Sequence, residues 1–99
     1  MTDKTLPAVV DNEAQSRFEI HLDGELAVLE YSLTGDRLVL IHTEVPDAFE
    51  GRGVGGALVR TAIESAADRA LTVVPRCRFA RGWLERHPDV AATVTLEAA

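Results

Sequence analysis

The residues with most to offer chemically form one short stretch, Glu50-Gly51-Arg52-Gly53-Val54-Gly55-Gly56-Ala57, with glycine at 51, 53, 55 and 56. Directly after it, Leu58, Val59, Ala62, Ile63 and Ala66 recur at the helical period, so the glycines open a helix. The first turn of a helix carries backbone N–H groups without intrahelical partners, and the macrodipole adds positive potential there. Residues lacking a Cβ let a phosphate or diphosphate approach that backbone closely, and Arg52 adds a charge. The other reading is a flexible connector. Glycine costs up to about 1 kcal/mol relative to alanine inside a helix, and a plain turn does not call for it so often. The stretch is not a P-loop, because no Gly-Lys-Ser/Thr follows. Nor is it the dinucleotide fingerprint, which follows the first strand of a parallel unit.

Cys77 is the second candidate. It follows Pro75, stands between Arg76 and Arg78, and opens another helical segment, an environment of the kind that depresses a thiol pKa. Three readings stay open: a nucleophile, a residue beside another reacting sulfur, or a small buried hydrophobe. His42 and Glu44 are the third. Two apart on a strand, they share a face, and either can take a proton from an ammonium, directly or through water. His42 also reads as a hydrogen-bonded core histidine beside Leu38 and Leu40, and Glu44 as a solvated carboxylate at a strand end. Phe79 and Trp83 read as core anchors before they read as a substrate box.

The elements that must position these residues follow from periodicity and turn chemistry. Residues 1–16 show no clear period and are expected to be a flexible tail, with the folded domain over 17–99. Phe18, Ile20 and Leu22 alternate with Arg17, Glu19 and His21, as a half-buried strand requires. Asp23-Gly24 is a hairpin turn, a second strand covers 25–33, and a turn at 34–36 leads into a third strand over 37–45. Apolar residues on both faces of that third strand imply a central position covered on both sides. Pro46 ends it. The helix opened by the glycines runs about four turns; residues 71–74 form a short buried strand ended by Pro75 and reached by a right-handed crossover. A last helix covers 78–86, with Arg81 and Glu85 as an i,i+4 pair, and Pro88 stops it. The expected fold is mixed α+β, in the order β-β-β-α-β-α: a three-stranded antiparallel meander, a crossover helix, a parallel strand and a C-terminal helix.

Ninety-nine residues, 46 % of them hydrophobic, make one core and one domain. A net charge of −6 argues against a duplex nucleic-acid binder. The charge is uneven: residues 1–50 hold 11 acids against 3 bases, residues 51–99 hold 5 against 7, so a polyanionic ligand suits the second half and a cationic amine the first. The lone cysteine forbids an internal disulfide and fits a reducing compartment; His21, His42 and His87 lack metal-ligand spacing. No apolar run is long enough for a signal peptide or a membrane span, so a cytoplasmic protein is expected.

Arg52-Gly53-Val54-Gly55-Gly56-Ala57 resembles the acetyl-CoA pattern of the GNAT superfamily, Gln/Arg-x-x-Gly-x-Gly/Ala, placed after a central strand. The chain is most similar to the superfamily's small single-domain members. Their pattern reads His-Thr near the third strand's end, then Val, the Arg-Gly-x-Gly loop, Pro-x-Cys and His-Pro. Here these are Ile41-His42-Thr43-Glu44-Val45, Arg52 to Gly55, Pro75-Arg76-Cys77 and His87-Pro88, and the likeness covers about residues 17–90. The resemblance implies a truncated GNAT-like fold and an N-acetyltransferase using acetyl-CoA (coenzyme A) and an amine acceptor, a small molecule or a protein. It implies cofactor contacts from Val45, Gly51, Arg52, Gly53, Val54, Gly55, Gly56, Ala57, Arg78 and Phe79; Cys77, His42 and Glu44 stay the catalytic candidates. One departure stands out. Phe79 has no proton to give where many relatives place a general-acid tyrosine, so slow transfer is expected, with a non-catalytic CoA-binding module as the alternative.

Overall fold

The structure is a computed structural model and describes residues 7–49 and 51–98. Alternation makes the first half a sheet. Strand β1 (Val10–Asn12) pairs antiparallel with β2 (Arg17–Leu22), β2 with β3 (Glu25–Thr34), and β3 with β4 (Arg37–Glu44). The hairpin between β2 and β3 turns at Asp23 (φ 53°) and Gly24 (φ 77°), both in the left-handed region that tight hairpins require. A 3-10 turn (Asp47–Phe49) and the glycine loop lead into helix α1 (Val54–Asp68). Strand β5 (Thr72–Pro75) returns parallel to β4; helices α2 (Arg78–Arg86) and α3 (Pro88–Ala91) and a two-residue strand β6 (Thr95–Leu96), parallel to β5, complete the chain. The sheet order is β1-β2-β3-β4-β5-β6. The mixed α+β fold expected from the sequence is therefore present, with three elements beyond it.

The core is a single cluster. Phe18, Ile20, Ala27, Leu29, Tyr31, Leu38 and Leu40 project from one sheet face onto Leu58, Val59, Ala62, Ile63 and Ala66 of α1. Each of those helix residues is fully covered, and burial on this scale stabilises by about 1.5–3 kcal/mol per large side chain.

Several expectations are corrected. Part of the 1–16 tail is a strand: Val10 pairs with Glu19 and Asn12 with Arg17, Tyr31 Oη donates to Asp11 at 2.7 Å, and Asn12 Nδ2 donates to Glu19 at 2.9 Å. A three-residue Asp/Asn-containing strand has little propensity of its own and depends on these side-chain bonds. Pro75 is the last residue of β5 rather than its stop. Pro88 ends α2 but also begins α3, at a position where its missing N–H costs nothing. Arg81 does not pair with Glu85; its Nη1 donates to the carbonyls of Arg76 (2.8 Å) and Pro75 (3.3 Å), clamping the link between β5 and α2.

The most consequential correction lies in β4, which is not covered on both faces. Tyr31 pairs with Leu40 and Glu30 with His42, so Ile41 has no partner and forms a bulge, 46 % exposed. The extra residue resets the alternation. Thr43, opposite Leu29, joins the core face with Leu38 and Leu40; His42, opposite Glu30, is exposed on the outer face. His42 is therefore not a core histidine.

Candidate functional site

The glycine loop builds a bare helix start. Gly51 and Gly53 take φ 77° and 75°, with open space where a Cβ would project, and Gly53 caps α1 without any side-chain hydrogen bond. Ala57 N donates to Gly53 O at 3.0 Å, which leaves the amides of Val54, Gly55 and Gly56 without partners among the described residues. Unpaired donors at the positive end of a 15-residue helix favour negative charge nearby. Two expected contributors lend no main-chain donor: Arg52 N–H is used by Phe49 O at 3.2 Å, and the Ala57 amide lies inside the helix. The Arg52 side chain is exposed, and Glu50 lies outside the described residues.

Gly55 and Gly56 also face packed side chains. A Cβ at Gly55 would come within 2.7 Å of Phe79 Cζ, and one at Gly56 within 2.6 Å of Trp83 Nε1. These glycines admit two aromatic rings of α2 against the first turn of α1. Trp83 is held further by the Arg60 guanidinium, 5.3 Å from its ring centroid, and by His87, stacked at 3.8 Å and 13°. Between the helix starts and the aromatic rings lies a groove of about 370 Å³, reaching from Val45 and Phe49 past the glycines to Trp83, Arg86 and His87. A larger cavity of about 490 Å³ between α2, α3 and β6 is lined mainly by Pro75, Leu84, Pro88 and neighbouring apolar groups, and is away from these donors.

Next to the groove the sheet parts. Pairing of β4 with β5 stops at Leu40 and Pro75; there Arg76 N and Cys77 N both donate to Leu40 O, at 3.0 and 2.9 Å. Beyond that point β4 has β3 on one edge only. Cys77 is 6 % exposed, stands at the N-cap of α2, and has its Sγ 3.1 Å from Thr43 Oγ1. Thr43 carries a hydroxyl to the thiol because the bulge at Ile41 turns it inward. Sequence reasoning named Thr43 only as part of a motif; the bulge gives no signal in a single sequence. His42 and Glu44, both exposed, stand on the other face and make no hydrogen bond with Cys77 among the described residues. The structure thus gathers Val45, the loop glycines, Val54 and Phe79 in one groove, with Cys77 and Thr43 beside it. It puts His42 and Glu44 across the strand, and leaves the Arg52 and Arg78 side chains exposed.

The outer sheet face holds one strongly shifted acid. Glu19 is 4 % exposed, and its carboxyl is lowered to about 2, first by the His21 hydrogen bond and then by Arg17, with desolvation opposing and Asn12 assisting. Burial and the bond to Asp11 push the Tyr31 phenol well above its ordinary range, so it stays a donor to β1. Neither group borders the groove. No cluster of His, Cys, Asp or Glu fit for a metal, and no helix long and apolar enough to cross a membrane, occurs among the described residues.

A mixed sheet that parts beside a helix whose start is a bare row of amides defines a GNAT-like fold. Comparisons agree with it. Residues 17–94 match the family described as GCN5-related N-acetyl-transferase. Protein NATD1 of Mus musculus is 35% identical over 86 residues, covering 83% of this chain and 78% of that one, and Protein NATD1 of Homo sapiens is 34% identical over 86 residues, covering 83% and 76%. The solution structure of a GCN5-like protein from Staphylococcus aureus superposes with a TM-score of 0.68 over 100% of this chain and 93% of that one, at 24% identity, and so shares the fold. The chain belongs to the GCN5-related N-acetyltransferase family.

Proposed function

We propose that the chain binds acetyl-CoA in the groove at the start of α1 and transfers the acetyl group to an amine. The observation that carries this reading is the row of amides at Val54, Gly55 and Gly56, without partners among the described residues, at the groove that these residues line. The three amides and the α1 dipole hold the diphosphate, and the Arg52 and Arg78 side chains add positive charge. Val45 and Phe79 line the groove and lie two residues from Thr43 and Cys77, which brings the reactive end to the parting of β4 from β5.

Bound acetyl-CoA supplies the acetyl group as a thioester. Main-chain groups on the unpaired edge of β4 polarise its carbonyl. Glu44 or His42, on the outer face, takes the ammonium proton directly or through water, leaving a neutral amine to form the new C–N bond as the C–S bond breaks. The Thr43 hydroxyl and the Cys77 thiol are the proton donors nearest the departing sulfur, since Phe79 has none. Direct transfer is favoured over an acetyl-Cys77 intermediate, because Cys77 has Thr43 and no base as its hydrogen-bond partner. The same isolation supports the second reading, a CoA-binding module without catalysis.

Isothermal titration with CoA and an acetylation assay over small amines and lysine peptides separate these readings. Binding with turnover supports the transferase; binding without turnover supports the module. Absence of heat with the native chain overturns both.

A further inference from the structure

The far end of the groove has its own chemistry. His87 Nδ1 lies 2.7 Å from Trp83 O. A carbonyl only accepts, so Nδ1 carries the proton and donates, leaving Nε2 with no protein partner among the described residues, placed to accept from the P–OH of a monoanionic phosphomonoester or, in the imidazolium form, to donate to a phosphate oxygen. Stacking on Trp83 fixes the ring, and His87 is half-buried in the groove wall. Arg86, next to it, lines the same groove, is exposed, and has no carboxylate partner among the described residues. The end of a helix ordinarily repels anions through its free carbonyls. Here Trp83 O accepts from His87 Nδ1 and Leu84 O from His87 N at 3.1 Å, so two of those carbonyls are occupied. The result is a preset imidazole and an unpaired guanidinium at one end of a groove whose other end presents the bare amides.

We propose that Arg86 and His87 form a second anion subsite, which takes the phosphomonoester on the nucleotide end of the cofactor and makes the groove selective for CoA over its dephosphorylated form. This rests on the CoA reading above. The first subsite holds a diphosphate through main chain, which cannot distinguish the two compounds; only a separate cationic group can.

The test is titration of the native chain, Arg86→Gln and His87→Gln with CoA and with dephospho-CoA at low ionic strength, followed by heat and by the fluorescence of Trp83, the single tryptophan. The native chain is expected to prefer CoA by about tenfold or more, as one or two charge-assisted bonds imply. Each variant should lose most of that preference while binding dephospho-CoA as the native chain does. Equal affinity of the native chain for both compounds overturns the subsite and leaves the CoA reading standing. Variants that weaken both compounds equally show a structural role and overturn it too. If neither compound binds the native chain, the CoA reading fails and takes the subsite with it. Arg86→Gln alters an exposed side chain, so the test stands even where His87→Gln loosens the Trp83 stack.

Discussion

Thr43 and Cys77, 34 residues apart in the chain, meet with Oγ1 and Sγ 3.1 Å from each other where β4 and β5 separate. One residue comes from a strand end and the other from the cap of α2. Their contact ties this part of the sheet to both elements.

Removing that contact has a separable effect on stability and on turnover. Thr43→Val keeps the shape and deletes the hydroxyl, which should cost about 1 kcal/mol in urea unfolding. Cys77→Ala should reduce acetyl transfer without abolishing it, and the native chain incubated with acetyl-CoA should show no acetylated Cys77 by mass spectrometry. A trapped acetyl-Cys77, with complete loss of turnover in Cys77→Ala, would sink direct transfer.

The two pairs of glycines should respond differently. Gly53→Ala meets open space but forces a side chain into the left-handed region, costing about 1 kcal/mol, and bulkier replacements there should also obstruct CoA. Gly56→Ala drives a Cβ into Trp83 and should cost about 1–3 kcal/mol. Gly55→Ala meets Phe79, which is 41 % exposed and free to swing, so it should be the milder change; Phe79→Ala should relieve it in a double-mutant cycle.

Acid should weaken the fold through Glu19. Its folded carboxyl titrates near 2 against an ordinary 4.5, so its contribution is complete above about 4.5 and is lost as pH falls towards 2. Chemical denaturation across that window should show a falling stability, and Glu19→Gln should be less stable at neutral pH with a shallower acid limb. An unchanged acid limb in that variant would count against the assignment.

Deleting Ile41 removes the bulge and returns β4 to strict alternation. Leu40 would stay opposite Tyr31, His42 opposite Glu30 and Thr43 opposite Leu29, so His42 keeps its outward face, Thr43 keeps its contact with Cys77, and the cost should stay below about 2 kcal/mol. Thermal melting of the deletion variant against Ile41→Thr, which keeps the residue count, measures it. A deletion variant that loses its cooperative melt while Ile41→Thr keeps it would refute this account of the bulge.

Much of the fold was legible from local pattern. Phe18-Glu19-Ile20 alternates, Asp23-Gly24 turns, and Leu58 to Ala66 repeats at the helical period, because each of those signals is carried by neighbours in the chain. The loop at 51–56 could be read as a helix start for the same reason. β1 and β6 were not legible: three and two residues hold little propensity, and they are strands because an edge of the sheet receives them.

By itself the sequence determined the strand–loop–helix order, the supply of bare amides at Val54 to Gly56, and the motifs by which the family is known. Tertiary structure alone decided which side chains face each other. The unpartnered Ile41 swapped Thr43 for His42 beside Cys77, since strand residues alternate and one extra residue reverses every later position. The packing of α2 on α1 set Phe79 and Trp83 against Gly55 and Gly56, because the space a missing Cβ leaves is filled by whichever element docks there.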